Sequence, residues 1–179
     1  MKRELVIHFS FLVAFFIFIA LFRQYFEFRY LLFLFGGLVG TFLPDVDHLI
    51  YVYASRPHEL TSQRVNFMLA KREWLPILNL LYMTRSERKQ LVFHSAFFQI
   101  IFTILAFWVL TSSGSLFGRG LVLAFSLHLL VDQIVDLTEV DSLDNWFNQS
   151  PLVASLSKQK ATLYWLANLI IILIFGFLL

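Results

Sequence analysis

Histidine and aspartate recur at four places in or at the ends of the apolar segments of this chain. They are His8, the run Asp45, Asp47 and His48, the pair His94 and Ser95, and the run His128, Asp132 and Asp136. Helical residues three or four apart share a face. On that rule His128, Asp132 and Asp136 make one stripe, and Asp45 with His48 makes another. Imidazoles mixed with carboxylates are the nitrogen and oxygen donors of a borderline or hard divalent ion. The chain has no cysteine, which excludes thiolate ligation and disulfides. Pro44 suits the first turn of a helix and fits badly in the body of a preceding one. Asp45 and Asp47 are therefore expected near a helix N-terminus, where peptide dipoles favour anions.

Composition says what kind of element carries these groups. Of 179 residues, 59% are apolar and 15% charged, and 22 are phenylalanine. The mean hydropathy is +0.74. Soluble domains carry about 25% charged residues, and a soluble fold of this length leaves roughly 30% of its unfolded-chain surface exposed. An ordinary soluble enzyme, a disordered tail and a basic nucleic-acid-binding domain are excluded. What remains is an all-α integral membrane bundle, one domain over residues 1–179.

Five apolar segments are legible: Leu5–Phe22, Tyr30–Leu43 resuming as Leu49–Tyr53 after Pro44, Leu91–Leu110, Leu121–Val131 extending toward Leu137, and Ala161–Leu179. A span needs about 20 apolar residues. The first segment is long for a signal peptide and is followed by Arg23 and Gln24 rather than small residues, so it reads as a retained membrane helix. The basic connector 54–90 predicts one or two short helices on the membrane surface, with Trp74 at headgroup level. The connector 138–160 is acidic and then polar.

Orientation follows from the basic residues. With the N-terminus in the cytoplasm, Lys2, Arg3, Arg56, Arg64, Lys71, Arg72, Arg85, Arg88, Lys89, Lys158 and Lys160 lie inside, and Arg23, Arg29 and Arg119 outside. The bias predicts a membrane protein with that topology. His8, Asp45, Asp47, His48, His94, His128, Asp132 and Asp136 then fall at one cytoplasmic level, although the count used only Lys and Arg. An aspartate in the bilayer costs about 2.5–3.5 kcal/mol, and a bound dication would neutralise the group. His58 reads as an ordinary surface residue. The stripe Ser95, Gln99 and Thr103 reads as a helix-packing face, and Asn168 as interhelical glue.

These residues carry a family resemblance. Leu43-Pro44-Asp45-Val46-Asp47-His48 resembles the Leu-Pro-Asp-x-Asp-His signature of the YdjM-like inner-membrane metal-dependent hydrolases. His8, His94-Ser95 and His128-x-x-x-Asp132 follow in that family's order and rough spacing. Its relation to zinc-dependent phospholipase C and single-strand zinc nucleases implies a helical protein with clustered zinc, acting on a phosphoester. One departure is visible. Where the family often has His-Arg-Gly-x-Thr-His-Ser, this chain has Lys89-Gln90-Leu91-Val92-Phe93-His94-Ser95. Arg88 or Lys89 would then supply the cation to a phosphate.

The reading that joins these observations is a membrane-embedded metal hydrolase at the cytoplasmic face. His8, Asp45, Asp47, His48, His94, His128 and Asp132 are the expected zinc ligands. Asp47, His94 and Asp132 are the expected catalytic residues, and Asp136 and Ser95 stand behind them. The expected partners are membrane lipid and a phosphoester substrate, a lipid headgroup or related compound, with no nucleic acid; the oligomeric state stays open. Two alternatives remain: a metal-stabilised scaffold without turnover, and a divalent-ion transporter, against which the absence of a repeated half argues.

Overall fold

Helix α1 (Lys2–Arg23) opens the chain. It ends where Gln24 takes a φ of 55° and Tyr25 N–H bonds back to the Ala20 carbonyl at 2.9 Å, a C-cap usually built on glycine. The computed structural model describes residues 2–84, 91–147 and 156–179. Among them no residue forms a strand, and the protein is an all-α membrane helical bundle.

The second crossing corrects the expectation at Pro44. Helix α2 (Leu31–Phe42) passes through a 3-10 turn, Leu43–Asp45, into α3 (Val46–Ile50) and a π turn, Tyr51–Ser55. The helical path is unbroken from Phe28 to Ser55. A proline clashes with the carbonyl four residues back. The tighter winding at Leu43–Asp45 absorbs that clash without ending the helix. Asp45 and Asp47 therefore do not sit at a free helix N-terminus, and neither the Asp45 side chain nor any other caps α3.

The basic connector folds as α4 (Leu60–Ala70) and α5 (Trp74–Met83). The third crossing, α6 (Ala96–Ser112), is shorter than its apolar stretch suggests, because residues 91–95 are not helical. Helix α7 (Leu116–Glu139) is much longer than expected. A four-residue turn, α8 (Asp144–Phe147), and α9 (Lys158–Leu178) complete the fold. Four of the crossings are long and apolar enough to span a membrane, and α6 is the shorter fifth apolar helix.

Helix α7 is the centre. Its most apolar stretch is 83% buried, against 28% for α1 and for α9. The outer helices turn residues such as Ile17, Leu21, Leu163 and Ile170 outward, as lipid-facing helices do. Helix α2 lies in backbone contact with α7. A β-carbon added at Gly36 would meet the Phe117 carbonyl oxygen at 2.1 Å, one at Gly40 the Leu121 oxygen at 2.2 Å, and one at Gly120 the Phe33 oxygen at 2.0 Å. Small residues four apart allow such an approach in a bilayer, where apolar burial does not drive helices together.

A buried polar network ties α6, α7 and α9. Gln99 Oε1 accepts from Gln133 Nε2 at 2.6 Å and from the Tyr164 hydroxyl at 2.6 Å. Asn168 Nδ2 lies 3.5 Å from the same oxygen and 3.1 Å from the Tyr164 carbonyl. Gln99 and Asn168 are thus the interhelical contacts their positions suggested, and Thr103 bonds back to the Gln99 carbonyl at 2.7 Å.

Candidate metal centre

Asp132 is the hub. It is 4% exposed, one turn after His128 on α7. Its Oδ2 lies 2.9 Å from His94 Nε2 and 3.1 Å from His128 Nε2. Its Oδ1 lies 3.5 Å from His8 Nε2. Three imidazoles from α1, from the segment before α6 and from α7 therefore surround one carboxylate. The rings of His8 and His128 are 4.2 Å apart between centroids.

His8, His128 and Asp132 each offer a ligand atom within 4.8 Å of the other two, and all three residues are buried. Two donors about 2.0–2.2 Å from one zinc ion are no more than about 4 Å apart, and the contacts at Asp132 lie inside that limit. His128 Nε2 supplies a second test of fit. It stands 3.1 Å from Asp132 Oδ2, yet neither nitrogen of its buried ring makes a hydrogen bond. Lone pairs gathered at short range without donor alignment suit a shared cation better than a proton.

The Pro-Asp-x-Asp-His element reaches this centre from the 3-10 turn Leu43–Asp45 and the first turn of α3. Asp45 Oδ1 lies 3.8 Å from His128 Nε2, and its side chain is 49% exposed. His48 stacks on His94 with centroids 5.6 Å apart and 11° between planes. Asp47 is 1% exposed and its two oxygens face the chain before α6. Oδ1 accepts from Val92 N–H at 3.0 Å. Oδ2 accepts from Phe93 N–H at 2.6 Å and His94 N–H at 3.2 Å, and lies 3.1 Å from His94 Nδ1. Residues 91–95 stay out of the helix because the amides of Val92, Phe93 and His94 turn to this carboxylate. Ser95 holds the turn: its hydroxyl accepts from Phe98 N–H at 3.2 Å and donates to the Val92 carbonyl at 2.8 Å, so it caps α6.

Burial by itself would lower the pKa of His94. The hydrogen bonds and negative charges of Asp132 and Asp47 outweigh it and raise the value from 6.5 to about 9. With this ring between two carboxylates, the metal-free chain holds an imidazolium that donates to both.

Asp136 lies one turn beyond Asp132 and accepts from Trp146 Nε1 at 2.8 Å. The Trp146 ring stands 5.7 Å from His94, between centroids. Trp146 and the amides of residues 92–94 were not legible as site residues. A tryptophan in a polar connector was the only sequence signal, and backbone amides leave none. His58 is on the surface, where its carbonyl accepts from Gln63. Arg88 and Lys89, expected near a phosphate, lie outside the described residues.

The comparisons with known proteins return no match: no family profile, no curated protein and no solved structure aligns with this chain.

Proposed function

We propose that the protein is a membrane-embedded, metal-dependent hydrolase that acts on a phosphoester at the cytoplasmic face of the inner membrane. The observation that carries the reading is the buried meeting of His8, His128 and Asp132, whose ligand atoms lie within 4.8 Å of one another. His94 and Asp45 complete a set of donors drawn from α1, the 3-10 turn Leu43–Asp45, α7 and the segment before α6.

A zinc ion held there would supply a Lewis acid that polarises a phosphoryl oxygen and makes water nucleophilic near pH 7. The residues divide the remaining tasks. Asp132 and His128 offer two donors from one turn of α7, and His8 closes the side toward α1. Asp47 accepts His94 Nδ1–H, which fixes the ring and directs Nε2 at the centre, the carboxylate–histidine arrangement found behind metal ligands. Asp47 thus acts through His94 rather than on the ion. Asp45 is the half-exposed member, so substrate and water reach the centre from its side. Leu43, Val46 and Leu49, all exposed, flank it. That apolar surround favours a lipid headgroup over a freely soluble phosphoester.

A second reading, a metal-locked scaffold without turnover, draws on the burial of His8, His94, His128 and Asp132. An open coordination position favours catalysis and a closed shell favours the scaffold. The deciding experiment is elemental analysis of protein purified without added metal, followed by a phosphoester panel of phospholipids and soluble diesters. Stoichiometric metal with hydrolysis that a chelator abolishes supports the hydrolase. Stoichiometric metal with no turnover of any substrate favours the scaffold.

A further inference from the structure

The hairpin of α4 and α5 hangs on the end of the second crossing. Val52, in the π turn that ends it, is fully buried against Val65 of α4 and Ile77 of α5. Only residues 56–59 separate Ser55 from Leu60, a reach of about 14 Å when extended. The hairpin is therefore held at the membrane boundary, packed on the last turn of a spanning helix.

Its other face is left uncovered by the described residues. Leu60, Arg64, Phe67 and Lys71 are all exposed, and spacings of four, three and four residues put them on one stripe. Leu60 is 63% exposed and Phe67 62%; at the start of α5, Trp74 is 63% and Leu75 68%. Lys71 Nζ stands 4.2 Å above the Phe67 ring. The stripe thus interleaves cations with large apolar groups. Two acids lie nearby: Glu59, engaged by the Tyr51 hydroxyl and by Arg56, and Glu73, exposed beside Arg72 in the turn, against the three cations Arg64, Lys71 and Arg72. The third cation lies in the turn. Arg72 takes a φ of 58°, and its N–H bonds to the Leu69 carbonyl while Glu73 N–H bonds to that of Met68. That pair of bonds is a Schellman cap, whose left-handed position is usually glycine. An arginine held there projects its charge from the tip of the hairpin.

We infer that the outer face of the α4–α5 hairpin is a seat for anionic phospholipids. Phe67, Trp74 and Leu75 enter the headgroup–acyl boundary, and Arg64, Lys71 and Arg72 bind the phosphates. A second protein surface could cover the apolar groups, but the interleaved cations at a membrane boundary match a lipid surface. This inference is independent of the metal centre.

The native chain has no cysteine, so single sites can be labelled. Phe67→Cys and Leu75→Cys are spin-labelled in the full-length protein, with Asn66→Cys, about 100° round the helix from Phe67, as reference. Each is reconstituted in nanodiscs of phosphatidylethanolamine with or without phosphatidylglycerol. Labels at 67 and 75 are expected to relax with dissolved oxygen, the label at 66 with an aqueous nickel chelate, and the contrast to grow with phosphatidylglycerol. Nickel access at 67 and 75 equal to that at 66 overturns the inference. So does protection from both reagents that disappears on dilution, the sign of a second copy. The triple variant Arg64→Gln, Lys71→Gln, Arg72→Gln should retain less phosphatidylglycerol relative to phosphatidylethanolamine, by about fivefold per cation, with metal content unchanged. An unaltered lipid ratio in that variant also overturns it.

Discussion

His94 and Asp47, 47 residues apart in sequence, meet twice: the Asp47 carboxylate takes both the backbone N–H and the ring Nδ1 of His94. One side chain therefore fixes the position of the histidine's backbone and the rotation of its ring. The opposite ring nitrogen then falls 2.9 Å from Asp132.

That relationship orders the effects of substitution on metal content. Asp132→Asn is expected to abolish stoichiometric metal, because it removes the carboxylate at the meeting point of three imidazoles. Asp47→Asn and Asp136→Asn should bind metal about 10–100-fold more weakly, as losses behind the ligands do. Elemental analysis across a free-zinc series checks the ranking. Asp136→Asn weaker than Asp132→Asn would reverse the assignment.

The raised pKa of His94 predicts opposite pH trends for the empty and the loaded protein. In the metal-free protein the ring gains a proton on folding, so its contribution to stability is complete below pH 6.5 and is lost as pH rises through about 9. Thermal unfolding of the chelated protein should shift downward across that window, and His94→Gln should flatten the shift. Metal must displace the Nε2 proton, so affinity should rise with pH up to about 9, by about tenfold per unit for one proton released.

Gly120→Ala is expected to destabilise the bundle by about 1–3 kcal/mol, the usual cost of overpacking. Its β-carbon meets the Phe33 carbonyl, which belongs to the backbone and cannot rotate away. The variant should also lose metal, since separating α2 from α7 pulls Asp45 away from His128. Gly114→Ala, with open space around the added methyl, is the control. Equal stability and metal content in the two variants would count against the close contact.

The basic-residue bias predicts that the α4–α5 hairpin faces the cytoplasm. A cysteine at Asn66, exposed on α4, should resist a membrane-impermeant maleimide in intact cells and react in inverted vesicles. Reaction in intact cells would invert the topology.

Apolar segments and the positions of His and Asp were legible because membrane helices must be apolar and intramembrane ionisable groups are rare. The course of the chain at Pro44 was not. Proline's penalty is local, and the 3-10 turn at Leu43–Asp45 relieved it without breaking the helix. The extent of α7 was misjudged for a related reason. His128, Asp132, Gln133 and Asp136 make it look too polar to cross a membrane, but it is wrapped by protein. Nor were the partners of Asp47 readable, since they are mostly backbone amides. The spacing of Gly36 and Gly40 carried a signal that went unread: small residues four apart lie on the face of α2 that meets α7.

The placement of α7 has a consequence for how the chain is made. The imidazoles flanking Asp132 belong to His8, His94 and His128, and all three precede it. When Asp132 leaves the ribosome, its neighbours have already been synthesised. The flank of α7 that waits for α9 carries Leu127, Leu130 and Val131, which later pack with Ile172. Lipid can cover those three residues in the interval. The order of synthesis thus supplies Asp132 with its imidazoles first and leaves to the bilayer an apolar flank that it can solvate.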